Sequence, residues 1–262
     1  MKETIRQIKE NLFSWYYILI AVIIAVLCFT TPYYMINENT TLSIIETGML
    51  EKRRILSEET ISLGRAILSG ALGGWTTLFV PIFASYIGVK RYCDEIRYGF
   101  KRYMVFKEGI CKYGITRAVS SVITGGSVLL VGYCIFSILC CLLFPWKTLV
   151  LVNEEGSFIN ALFFRFLGIL LMGALWSSIG LAITVWTKDK YFVLCLPFVI
   201  RYIWNLWYQK NSEIPFVVGP DNMMKIGTGE FGLDSMIIYS VVIVLCCILF
   251  VLELRERTDL GE

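Results

Sequence analysis

The sequence predicts an all-α, polytopic membrane protein, and three observations lead there. Of its 262 residues, 56% are hydrophobic and only 17% charged, where soluble domains run near 45–50% and about 25%; the mean hydropathy is +0.67. Six apolar runs are long enough to cross a hydrocarbon core about 30 Å thick as helices rising about 1.5 Å per residue. The polar segments between them are too short to fold alone, so residues 1–262 are read as one transmembrane domain.

In KETIRQIKENLF, Ile5, Ile8 and Leu12 recur at helical spacing with charges between them, which suits a short helix in the membrane interface; a disordered tail is the alternative. The apolar runs follow at about 15–36, 66–89, 118–144, 161–186, 191–208 and 235–254. The first is too long for a signal-peptide core and lacks a small-residue cleavage site, so it is expected to be retained. The fifth is the shortest and is interrupted by Pro197 and Arg201.

Lys and Arg are shared unevenly between the connecting segments. About 15 lie on the side that holds both termini, 90–117 and 187–190, against about 7 on the other. This bias places both termini in the cytoplasm and the chain in the cell membrane as a multi-pass protein.

The chain has no His, which removes His-based acid–base catalysis, Ser-His and Cys-His nucleophiles and His-ligated metals. Its nine Cys lie in apolar runs, except Cys93 and Cys111, and none forms a CxxC spacing; they read as small packing residues, with no disulfide and no zinc. No catalytic residues, metal site or cofactor are expected. The formal net charge of +3 is small, and no nucleic-acid partner is expected.

The most informative segment is 90–117, KRYCDEIRYGFKRYMVFKEGICKYGITR, with eight basic residues where a simple turn needs only a few residues in all. Ile96, Phe100, Tyr103 and Met104 fall on one stripe, with Arg97, Lys101 and Arg102 off it, which describes an amphipathic helix with a basic shoulder. Such a helix can lie on anionic lipid, or dock into a soluble partner with Tyr98, Phe100 and Tyr103 as anchors.

An interfacial N-terminal helix, six spans with both ends inside and a long link carrying Asp94, Glu95, Gly99, Lys101 and Arg102 together resemble the permease subunit of an ABC-type exporter of the type-2 superfamily. GLAITVWTKDKYFVLCLPFVI at 180–200 is similar to that family's turn between the fourth and fifth spans. Many members carry a Pro-hydrophobic-Ser/Thr-Arg stretch after the Gly, where KEGICKYGITR has Gly114, Thr116 and Arg117 and no Pro. The resemblance implies that 90–117 forms a coupling helix seated in a separate cytoplasmic ATPase subunit, contacted through Asp94, Glu95, Ile96, Arg97, Gly99, Phe100, Lys101 and Arg102. It also implies pairing with a second permease copy or paralogue. ATP would be bound by the partner subunit, and this chain has no GxxxxGK[ST] loop of its own.

Arg201 lies about 15 Å along the fifth run, near the bilayer midplane. It either lines an aqueous path or polar contact, or snorkels outward beside Trp204 and Trp207; Arg165 reads as a snorkelling residue. Segment 209–234 holds an apolar IPFVVG patch, too short to span. By resemblance Pro215 and Phe216 belong to a re-entrant outer gate. Segment 37–65, with EKRRILSEE, reads as a solvated helix. Gly70 and Gly74, Ala84 and Gly88, and Gly173, Ser177 and Gly180 are spaced for close helix packing, within the chain or between subunits.

The expected function is therefore a non-enzymatic permease subunit that moves a peptide, drug or lipid across the membrane. The alternative is a standalone partner-binding membrane protein, such as an immunity or regulatory protein.

Overall fold

The computed structural model describes residues 2–37, 40–52, 63–70, 74–144, 158–187, 189–211, 219 and 233–259. They are predominantly helical. Helix α1 (Lys2–Leu12) meets α2 (Trp15–Phe29) at 56°. Ser14 makes the corner, its hydroxyl accepting the Tyr17 N–H at 3.2 Å, as an N-cap does for donors that have no helical acceptor.

Helix α2 has 15 residues, about 22 Å of rise, so the expected 15–36 run ends early. The Thr30 N–H bonds the Leu27 carbonyl, and Pro32 and the β-favouring residues behind it form strand β1 (Pro32–Asn37), antiparallel to β2 (Thr40–Ser43). The fold class stands as predominantly helical; the hairpin corrects the reading of 15–36 as one helix. Hydropathy counts Tyr, Met and Ile equally in a helix or a strand, and the reading of 15–36 had no way to separate them.

Ser43 and Glu46 form a reciprocal capping box: the Ser43 N–H and hydroxyl donate to the Glu46 carboxylate at 2.9 and 2.7 Å. Those donors hold the Glu46 carboxyl below the usual carboxylate range. The box opens α3 (Ile44–Lys52), in which Ile44 and Thr47 are buried, so the described part of 37–65 is not a plain solvated helix; residues 53–62 lie outside the described residues.

The expected 66–89 run is divided between α4 (Leu63–Gly70) and α5 (Gly74–Arg97), with 71–73 outside the described residues. Then come α6 (Phe100–Glu108), α7 (Ile110–Leu143), α8 (Phe158–Ile183), α9 (Lys190–Lys210) and α10 (Leu233–Asp259). Among the described residues, α7 to α10 are four helices long and apolar enough to cross a membrane, with α1 and α2 a fifth if the bent pair counts as one span. With 34 residues, α7 rises about 51 Å, well beyond a hydrocarbon core of about 30 Å.

Helices α5, α7 and α8 meet at a hub of small residues. A Cβ on Gly173 would sit 2.4 Å from the Gly125 carbonyl oxygen, and one on Gly180 would lie 2.5 Å from the Ser85 Cβ. The Ser177 hydroxyl donates to the Ser121 carbonyl at 2.8 Å. Gly173, Ser177, Gly180, Ala84 and Gly88 thus pack within the chain. Around the hub, α2 closes on α7 through the Phe29–Phe136 pair, ring centroids 4.8 Å apart, and Trp176 is buried against Trp204 of α9. All nine cysteines are free thiols.

Helix α1 buries Gln7 and Asn11 and rests Leu12 on the core, while Ile5, Arg6, Lys9 and Glu10 are exposed.

Candidate functional site

At the end of the bundle that carries α1 and α6, the last turns of α5, helix α6 and the first turns of α7 form a corner. The sequence pattern anticipates one helix through 94–104, but α5 stops at Arg97 and α6 starts at Phe100. Gly99 lies between them at φ +75°, and Gly109 closes α6 at φ +81°. A side chain in that left-handed region meets the following carbonyl, so each glycine fixes a break. Gly99→Ala should cost about 1 kcal/mol, read as a lower thermal unfolding midpoint in detergent, with nothing within 4 Å of the added methyl to blame.

The break divides the expected contact residues. Asp94, Glu95, Ile96 and Arg97 belong to α5. Asp94 faces Lys190 of α9 at 3.9 Å, and Ile96 packs on the buried Tyr92, Tyr113 and Phe250 cluster. Glu95, whose side chain is 14% exposed, is held by the Arg117 guanidinium, the Tyr113 hydroxyl at 2.8 Å and Arg91 at 3.8 Å. These contacts make Glu95 an internal clasp. Burial pushes the Tyr92 phenol up, which keeps it neutral among these ion pairs.

Helix α6 itself has no buried residue. Met104 and Val105 rest against the Tyr92 and Tyr113 cluster. Tyr98, Phe100, Tyr103 and Phe106 are exposed, Phe106 by 93%, with Arg97, Arg102 and Lys107 exposed beside them and Lys101 partly covered. Four exposed aromatics within nine residues form the kind of patch that interaction surfaces carry.

The clasp continues into α1. The Arg91 guanidinium pairs with Glu10, donates to the Asn11 side-chain oxygen at 2.6 Å and to the Gln7 carbonyl at 3.2 Å. The Asn11 amide donates in turn to Ser120 and Thr124 of α7. Arg91, Asn11, Tyr113 and Arg117 were not among the residues expected from the sequence, although Arg91 and Glu95 stand at the i, i+4 spacing of a helix ion pair. Beside them lies a groove of about 350 Å³ between α1, α2 and α5, where the Lys90 ammonium sits 3.1 Å from the Tyr16 ring centroid.

Arg201 is 4% exposed, so it faces protein and does not snorkel. The expectation that Arg165 snorkels is likewise corrected: it is fully buried within the bundle. Pro215 and Phe216 lie outside the described residues; of 214–219 only Gly219 is described, its carbonyl accepting the Tyr239 hydroxyl of α10 at 2.8 Å. No known family model matches the chain, and no curated protein matches it.

Proposed function

We propose that this protein is the six-pass permease subunit of an ABC transporter, with both termini in the cytoplasm and 90–117 as the element that couples it to a separate ATPase. The observation that carries the reading is α6: a nine-residue helix, isolated by two left-handed glycines, presenting exposed aromatics and cations. A helix so bounded moves as a unit. Aromatic anchors ringed by charge suit a groove in a folded partner, and Phe100 and Arg102 are its central contacts.

Force on α6 has two routes into the bundle: through Gly99 into α5, and through Gly109 into α7. The Glu95–Arg117 pair ties these helices together just beyond the breaks, so displacement of α6 moves both as one body and shifts the small-residue hub against α8. Substrate passes at or near the interface with a second permease copy or paralogue.

The test is purification of the native assembly. A nucleotide-hydrolysing subunit should accompany the wild-type chain in stoichiometric amount, and F100D/R102D should lose it at least tenfold while keeping the wild-type unfolding midpoint. A wild-type chain that purifies with no such subunit, and whose α6 binds anionic vesicles, rejects the proposal.

A further inference from the structure

Arg165 lies seven residues into α8, about 10 Å along it, at the end of the bundle remote from α6. The side chain has no accessible surface, and its Nε, Nη1 and Nη2 atoms are all buried without a hydrogen-bond acceptor among the described residues. A guanidinium stays charged and offers five donors. Even on the most lenient insertion scale, a charge in mid-membrane costs at least ~2.5 kcal/mol unless it meets a partner.

The neighbouring polar groups do not supply that partner. The Tyr133 hydroxyl donates to the Ile67 carbonyl at 2.6 Å, and its oxygen accepts no hydrogen bond from Arg165. Among the described residues no carboxylate pairs with Arg165, whereas Arg91 and Arg117 each have one. At the other end of the bundle Arg117 also has a buried Nε without an acceptor, but its guanidinium meets the Glu95 carboxylate.

We propose that Arg165 anchors a buried oxyanion site, which takes the phosphate of an anionic lipid or the carboxylate of a fatty acid entering from the membrane. The planar guanidinium matches two oxygens of either group. The outer faces of the same helix turns, Ile159 and Phe163, are exposed and apolar, as an acyl chain alongside would require. This inference stands apart from the transport reading.

The full-length chain, stripped of lipid in a neutral detergent, is titrated with dioleoylphosphatidylglycerol, oleate, inorganic phosphate or dioleoylglycerol while its unfolding midpoint is followed. The midpoint should rise with phosphatidylglycerol or oleate and stay unmoved by dioleoylglycerol. Which of the two acts identifies the source of the oxyanion. R165Q should weaken that response at least tenfold in apparent affinity, and R165K should fall between, because it keeps the charge but not the fork. No rise with either anionic amphiphile, an equal rise with dioleoylglycerol, an equal response in R165Q, or an effect reproduced in full by inorganic phosphate overturns the proposal. If R165Q does not fold, R165K and the lipid series on the wild-type chain still decide it.

Discussion

Replacing Glu95 with Ala should unfold the corner that joins α5, α6 and α7, at a cost of about 3–5 kcal/mol. The size of the effect comes from what remains. Arg117 is 5% exposed, and without Glu95 it keeps its charge in a buried place with no carboxylate on α5 to meet it. The Tyr113 hydroxyl loses its acceptor at the same time, and a buried donor left unmade adds its own desolvation cost. A drop in the unfolding midpoint on the order of 10 °C is expected in detergent. The double variant E95L/R117M supplies the control: with both charges replaced by apolar groups of similar size, most of the lost stability should return. An E95A midpoint within 2 °C of wild type would show that the clasp contributes little.

The second large effect is expected at the hub. In Gly173→Ala the new methyl would lie 2.4 Å from the Gly125 carbonyl oxygen and 2.9 Å from the Gly126 Cα. Both are backbone atoms, and neither can swing aside as a side chain does. Helices α7 and α8 would have to separate along the most extensive helix contact among the described residues, and a cost of about 3 kcal/mol is expected, at the upper end for overpacking. Gly114→Ala is the matched comparison. Its methyl would meet only the side-chain tips of Val251 and Leu254, at 3.2 and 3.3 Å, so its cost should stay below about 1 kcal/mol. Equal losses for the two would mean that the close crossing does not hold the helices.

The apolar helices α7 to α10 were legible in the sequence because each needs only a mostly apolar run of the right length, which α9 keeps despite Pro197 and Arg201, and that signal is local. The end of α2 was not: Thr30 to Ile36 is apolar enough to extend a span, and only the pairing with Thr40–Ser43 turns it into a strand. Gly99 read from sequence as part of the link, but its φ of +75° is what splits the stripe of Ile96, Phe100 and Tyr103 into two helices. Charged residues were the least legible. Glu95 read from sequence as a contact to a partner subunit and Arg165 as a snorkelling group, because what buries each is on another helix: Glu95 meets Arg117, 22 residues on, and Arg165 is enclosed within the bundle. Arg201 stood open between two readings for the same reason, and its burial resolves in favour of the inward-facing one.

The polar contacts of α1 have a consequence for how the protein is made. Asn11 finds its partners Arg91 and Thr124 at separations of 80 and 113 residues. At roughly 5–20 residues per second, the ribosome needs several seconds after making α1 to deliver either one. Until then Asn11 lacks these partners, so α1 cannot reach its native contacts before α5 and the first turns of α7 have been made.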